Sequence, residues 1–115
     1  WENILNKIGI FTKDIKLGTS LSEHLVNYKR KFFLLDKLEE LDDTFRVVII
    51  DLNEKDFRDE LFVKGVSLHQ KIYVIGITKR VLKNENDYFK NLGCNMMISS
   101  VGIIRNISSI LNEIL

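Results

Sequence analysis

The sequence contains no proline and one cysteine among its 115 residues. The absence of proline excludes cis-prolyl turns and proline kinks in helices. A lone cysteine, Cys94, cannot form an internal disulfide, which fits a reducing compartment, so we expect a cytoplasmic protein. No apolar run approaches the roughly 18 residues that cross a bilayer, and we expect no contact with a membrane.

The chain also has no large excess of charge of either sign, because 17 basic and 16 acidic residues leave a formal net charge of +1. This balance gives no electrostatic reason to expect direct binding of nucleic acid or of a membrane surface. His24 and His69 are far apart in the sequence, and the chain has one cysteine, so a zinc site is not expected. The glycines are isolated and form no phosphate-binding loop.

The length suits one domain with a single hydrophobic core, which we place at residues 1–115. Apolar residues make up 45% of the chain and charged residues 29%, as in an ordinary globular protein. Because the sequence does not begin with methionine, we expect it to be a fragment of a longer protein.

The stretch 46–52, RVVIIDL, is the most informative part of the chain. Its four successive β-branched apolar residues do not alternate with polar ones, so they predict a strand buried on both faces, as at the centre of a parallel sheet. Asp51 ends this strand, and the carboxyl ends of the strands carry the ligand crevice in open α/β sheets. Asp51 is therefore the first candidate functional residue; the alternative is that it caps the following turn.

Four further apolar segments predict strands, at residues 7–11, 32–35, 71–78 and 95–99. Parallel strands need right-handed helical crossovers, so the alternation predicts an α/β fold: a doubly wound, five-stranded parallel sheet with helices on both faces. The first and third strands should lie side by side, which would bring residues 12–14 close to Asp51.

Local signals predict where the first two helices begin or end. Ser20 and Glu23 match a capping box, so the first helix should begin there, after a polar loop over residues 12–19. Apolar spacing that begins at Phe57 predicts the second helix, and Gly65 is its predicted stop.

The remaining helical signals lie in three regions. Residues 36–44, between the second and third strands, predict only a short helix or a turn, so this crossover helix should be reduced or missing. Residues 87–92 predict a short helix that Gly93 closes. Isoleucine and leucine at helical spacing predict a final helix over 103–114, which must bury one face internally.

Over residues 7–115 the sequence resembles a response-regulator receiver domain, the CheY-like domain of two-component signal transduction. The resemblance depends on a buried strand that ends in Asp51, a strand that ends in Thr78, and the stretch Gly93-Cys94-Asn95 before the fifth strand. It implies the flavodoxin-like strand order 2-1-3-4-5.

Receiver domains accept a phosphoryl group from a histidine kinase on an aspartate. In the family, this aspartate and an acidic pair after the first strand hold a divalent metal, while a hydroxyl after the fourth strand and a lysine after the fifth bind the phosphoryl oxygens. Phosphoryl transfer depends on such positioning and charge neutralisation. The resemblance assigns Asp51 to the phosphoacceptor position and Thr78 to the hydroxyl position.

The remaining site positions depart from the family pattern. The acidic pair falls on Thr12 and Lys13, neither of which is an anionic ligand, and Asp14 comes one position late. The lysine position falls on Ser100. Asp14 and Asp51 are the candidate metal ligands if there are any, and no cofactor is expected unless Asp51 is a working phosphoacceptor that uses Mg²⁺.

Lys13 suggests a hypothesis about how such a site would be satisfied. Its ammonium group could occupy the metal position and pair with Asp51, because a nearby opposite charge favours the ionised carboxylate. The site would then be locked in one state without metal or phosphate. The alternative is that the flexible stem of Lys13 carries its ammonium group into solvent.

We therefore predict a pseudo-receiver: a signalling module, not an enzyme, that acts through protein–protein contacts. Its partner would be another protein or an output domain of the same chain, or a second copy bound through the face made by residues 87–92, 96–98 and 103–115. One alternative is a working phosphoacceptor, phosphorylated on Asp51 with Asp14 or a neighbouring carboxylate as metal ligand. Another is an unrelated flavodoxin-like domain with a small ligand in an apolar pocket at the strand ends.

Overall fold

In a computed structural model of the protein, which describes residues 6–115, five parallel strands form one sheet in the order β2-β1-β3-β4-β5. The predicted doubly wound α/β fold and its strand order are confirmed. Residues 1–5 of the predicted domain lie outside the described part of the chain. The strands are β1 (Lys7–Phe11), β2 (Phe32–Leu34), β3 (Phe45–Asp51), β4 (Tyr73–Thr78) and β5 (Met96–Ser99).

Helices cover both faces of this sheet. Helices α1 and α4 pack on one face, and α2 and α3 pack on the other. Between β2 and β3 the chain forms one 3₁₀ turn, Leu38–Glu40, so the predicted reduction of this crossover is confirmed. Within residues 6–115, no helix is both long and apolar enough to cross a membrane. The helices are α1 (Ile15–Asn27), α2 (Glu60–Ser67), α3 (Lys83–Leu92) and α4 (Ser100–Ile114).

Strand β3 is buried on both faces, as its unbroken apolar run predicts. Val47 and Ile49 contact the core under α1 and α4, whereas Val48 and Ile50 contact the core under α2 and α3. All four side chains are fully shielded from solvent. Burial of such a side chain contributes about 1.5–3 kcal/mol relative to leaving it exposed. The strand that carries Asp51 is therefore held rigidly from both sides.

Helix α1 begins earlier than predicted, and its cap is a different residue. Asp14 is the N-cap, and its Oδ1 accepts a hydrogen bond from the Leu17 amide at 3.2 Å. Ser20 and Glu23, the predicted capping box, lie inside the helix. The prediction was wrong because the apolar stripe continues back to Leu17, which is buried and requires a helix that starts before Ser20.

The two glycines predicted as helix ends differ in role. Gly65 lies inside α2, so the prediction of a stop there was wrong. A Cβ atom at Gly65 would lie 2.6 Å from Cδ1 of Leu38, so the glycine leaves room for the 3₁₀ turn to pack against α2. Gly93 does end α3, with a φ of 125° that glycine adopts readily and other residues rarely do.

Candidate functional site

Asp51 lies at the carboxyl end of β3 with only 4% of its surface exposed. The Thr12 hydroxyl donates to Asp51 Oδ2 at 2.7 Å, and the Asn53 amide donates to Oδ1 at 3.1 Å. The Asn53 bond is the turn cap that the sequence offered as the alternative role of Asp51. Both oxygens of this buried carboxylate therefore have hydrogen-bond donors from the protein itself.

The sheet register places Thr12 beside Asp51. Strands β1 and β3 are neighbours, with Phe11 opposite Ile50, so the residues that follow each strand meet at the same edge. The Thr12 Oγ1 atom also accepts a hydrogen bond from the Asp14 amide at 3.1 Å. A hydroxyl has a single proton, so Thr12 donates that proton to Asp51, and a lone pair of the same oxygen accepts from the backbone N–H of Asp14, the N-cap of α1.

We expect Thr12→Val to lower the free energy of unfolding by about 1–3 kcal/mol, because a buried carboxylate loses a charge-assisted hydrogen bond. Urea denaturation at neutral pH measures the change. Thr12→Ser is the matched control, since it keeps the hydroxyl and should retain most of the stability. Equal stabilities for the valine and serine variants would contradict a structural role for this bond.

The Lys13 ammonium group pairs with Asp56 instead of Asp51, so the hypothesis that Lys13 and Asp51 pair is wrong. Its Nζ donates to Asp56 Oδ2 at 2.6 Å, lies 3.9 Å from Glu54 Oε1, and lies 5.8 Å from the centroid of the Phe57 ring. The hydrogen bond with Asp56 raises the pKa of Lys13 and lowers the pKa of the Asp56 carboxyl. The long Lys13 side chain is half-exposed and reaches the loop after β3, while shorter Thr12 faces the site.

Thr78 and Ser100 lie at the same edge, because Thr78 ends β4 and Ser100 begins α4 directly after β5. Thr78 is buried, and its hydroxyl donates to the Arg80 carbonyl at 2.9 Å. Ser100 Oγ donates to the Thr78 carbonyl at 3.4 Å. Asp51 and Thr78 end adjacent strands, with Asp51 opposite Ile77 in the register. The structure thus brings the predicted residues to one edge, but the hydroxyl of Thr78 is engaged by a backbone carbonyl.

Asn53 is a member of this edge that the sequence-based prediction missed. The backbone N–H of Asn53 donates a hydrogen bond to Asp51. In addition, the side-chain Oδ1 of Asn53 accepts a hydrogen bond from the backbone N–H of Lys79 at 3.0 Å. This pair of bonds ties the loop after β3 to the loop after β4. An asparagine two residues after a strand-ending aspartate is a turn signal that could have drawn attention to it.

The two carboxylates predicted as Mg²⁺ ligands accept hydrogen bonds within the protein. This ion prefers carboxylate oxygens together with water and phosphate. Asp14, the other predicted ligand, caps α1, and the positions of the acidic pair hold a hydroxyl and an ammonium group. Within residues 6–115, no three or more His, Cys, Asp or Glu side chains lie together in a way that could hold a metal ion.

A groove of about 760 Å³ lies beside this edge, along the exposed flank of α1. Its apolar walls come from Ile15, Val26 and Leu34, all well exposed to solvent. Asp51 and Thr78 do not line it. Thr12, Lys13 and Asp14, which follow β1, also line the groove, so it reaches from the β1 side the crevice where the alternative of a small-ligand domain places its pocket.

No protein-family model and no curated protein matches this sequence. Solved structures do match its fold at low identity. A two-component response regulator from Clostridium difficile is 13% identical with a TM-score of 0.82, over 95% of this chain and 94% of that one. The chemotaxis protein CheY4 of Vibrio cholerae is 15% identical with a TM-score of 0.79, over 96% and 99% of the two chains.

A third similar structure is the receiver domain of a sensor histidine kinase from Pseudomonas aeruginosa, in which a magnesium ion is coordinated in the active-site cleft. It is 12% identical with a TM-score of 0.75, and the match covers 95% of this chain and 96% of that one. The strand order, the helices on both faces and these similarities agree. The chain therefore has the fold of the response-regulator receiver domains.

Proposed function

We propose that this protein is an atypical receiver module of two-component-type signalling, which acts through protein–protein contacts without the Mg²⁺-dependent phosphorylation switch. The hydrogen bond from Thr12 to Asp51 carries this proposal. A hydroxyl stands where receivers place a metal-binding acid, and it already donates to the carboxylate that the phosphoryl group would modify. Two neutral donors satisfy the Asp51 carboxylate, so it needs neither a metal nor a phosphoryl group to be satisfied.

The charges around Asp51 support the same proposal. Phosphoryl transfer needs positive charge near the transferred group. Lys13 follows Thr12 directly, and its ammonium group is bound to Asp56 and Glu54. Ser100, at the position of the family lysine, supplies a hydroxyl without charge. Transfer to Asp51 would therefore lack the charge that the family lysine supplies.

A working phosphoacceptor is the second candidate function. The placement of Asp51 and Thr78 favours it, since both are buried at the ends of adjacent parallel strands. A histidine kinase would be the phosphodonor under this alternative. It requires another group to replace the acidic pair, and Asp14 is committed to the α1 cap.

Backbone amide NMR spectra recorded with Mg²⁺, and then with beryllofluoride as a phosphoryl mimic, distinguish these candidates. We expect the amide signals of Asp51 and Thr78 and those of α4 to stay unchanged, because the site lacks a metal ligand set. Asp51→Asn is the control, since shifts that persist in this variant do not report on the carboxylate. Shifts that depend on Asp51 and spread to α4 would overturn the atypical function and favour the phosphoacceptor.

The partner is a protein or an output domain of the same chain under this proposal. The predicted face of α3, β5 and α4 offers few exposed apolar anchors, chiefly Tyr88 and Val101. The isoleucines Ile103, Ile107 and Ile110 of α4 are buried in the core. The exposed positions of α4 after its first turn are polar, so contacts through this helix would be polar at their centre.

A further inference from the structure

Strand β2 forms one edge of the sheet, and no strand among residues 6–115 pairs with its outer side. Edge strands of monomeric proteins are commonly protected by short length, by flanking lysines, by proline, by inward-pointing charges or by bulges, and β2 is short, with lysines on both sides. This chain has no proline, and the edge carries four successive apolar residues, 32–35. Such an edge is suited to pairing with another strand.

The backbone of β2 presents hydrogen-bonding groups outward at two residues. The Lys31 carbonyl accepts from the Ile8 amide at 3.0 Å, and the Leu35 amide donates to the Ile10 carbonyl at 2.8 Å. Because successive residues of a strand direct their peptide groups to opposite sides, the N–H and C=O groups of Phe32 and Leu34 point to the open edge.

The side chains next to this edge are also available for contact. Leu34 is 58% exposed, on the face of the sheet that α1 covers. Val26 and Ile15 of α1 are exposed beside it and line the same groove. Three large apolar side chains therefore form a continuous exposed surface with the open strand edge.

The charges that flank the apolar segment have opposite signs. Residues 29–31 are Lys-Arg-Lys on its amino side, whereas Asp36, Glu39 and Glu40 follow on its carboxyl side, with Lys37 among them. Two copies of such a strand are complementary when they run antiparallel, because the basic end of each meets the acidic end of the other. Parallel pairing would place like charges together.

We propose that β2 pairs antiparallel with β2 of a second copy of this chain, which joins the two sheets in a symmetric homodimer. The register that lets both outward-facing residues pair is centred on Phe33. Phe32 then faces Leu34 of the second copy, and the two Phe33 side chains meet at the two-fold axis. Extended past both ends of β2, the same register sets Arg30 opposite Asp36 of the second copy, twice in the dimer, and Lys29 opposite Lys37.

Sedimentation velocity over a range of concentrations up to millimolar tests this dimer. We expect the wild-type chain to dimerise. The Leu34→Lys variant should be monomeric, because the lysine would place a positive charge in the apolar contact between the two strands. Leu61→Lys, at an exposed leucine of α2, is the matched control and should dimerise normally. A wild-type chain that stays monomeric, or a dimer that survives Leu34→Lys, would overturn the proposal.

A charge exchange tests the register itself. Arg30→Asp and Asp36→Arg should each weaken dimerisation about tenfold, because each change sets like charges opposite one another at two places. The double variant should recover the wild-type affinity. Circular dichroism checks folding, since Arg30 also donates to Asn112 Oδ1 at 3.0 Å within its own chain. Failure of the double variant to recover would refute this register, and loss of the dimer in Val101→Lys would assign it to the α4 face instead. The dimer is independent of whether Asp51 can be phosphorylated.

Discussion

The double variant Thr12→Asp, Lys13→Asp should bind Mg²⁺ at least about 100-fold more tightly than the wild-type chain. The two substitutions restore the acidic pair at the carboxyl end of β1, beside the buried carboxylate of Asp51. Replacing an ammonium group by a carboxylate changes the local charge by two units. Unit charges a few ångströms apart near a protein surface interact by on the order of 1–4 kcal/mol, and about 2.7 kcal/mol is a factor of 100 in affinity.

Isothermal titration calorimetry with MgCl₂ measures this gain, and Mg²⁺-dependent stabilisation against heat gives a second readout if the variant is less stable without metal. Lys55→Asp is the control for net charge, because it makes the same two-unit change as Lys13→Asp in the exposed loop after β3 without restoring the pair. Equal Mg²⁺ affinities for the wild-type chain and the double variant would show that Thr12 and Lys13 are not what keeps the ion out. Equal gains in the double variant and the control would point to net charge instead of the pair.

Gly93→Ala should destabilise the fold by about 3 kcal/mol or more. Gly93 has a φ of 125°, which costs a residue with a Cβ atom about 1–3 kcal/mol. The added Cβ would also lie 2.3 Å from Cβ of Ser67, and overpacking of this kind costs about 1–3 kcal/mol. The Ser67 hydroxyl is held between the Lys64 carbonyl at 2.9 Å and the Leu92 carbonyl at 3.1 Å, so a shift of Ser67 would disturb both contacts.

Urea denaturation measures this effect, with an expected midpoint shift of about 1–3 M. Gly18→Ala is the matched control. Gly18 lies inside α1, and its added Cβ would meet Thr12 Cγ2 at an ordinary contact distance of 3.5 Å. Alanine is the better helix former, so this variant should gain about 0.5–1 kcal/mol. A small loss in Gly93→Ala would mean that the end of α3 can relax around a side chain.

Local sequence patterns predicted those strands and helices whose buried faces are compatible with a single type of secondary structure. The β-branched run before Asp51 predicted the central strand, and the isoleucine spacing predicted the last helix, because these periods follow directly from which faces are buried. The start of α1 was missed because two capping signals compete there, at Asp14 and at Ser20, and the packing of Leu17 against the sheet selects the first. Gly65 was misassigned because its neighbour Leu38 is distant in the sequence.

The candidate site was predicted as a set of positions but not as a set of contacts. Asp51 and Thr78 stand at the strand ends, where the sequence placed them. The side-chain partner of Asp51 is Thr12, 39 residues away, and the two meet through the register of β1 against β3. Lys13 had several carboxylates within reach of its long side chain, and the course of the loop after β3 decides that it binds Asp56.

By itself, the sequence determined which segments form strands and which residues end them, and it predicts that the acidic pair and the lysine of a receiver site are absent. Only the tertiary structure decided which donors satisfy Asp51, where the Lys13 charge goes, and that β2 lies at an open edge. The physical reason is range. Strand and helix patterns depend on neighbours a few residues apart, whereas hydrogen bonds, ion pairs and sheet edges depend on groups that the chain brings together from distant positions.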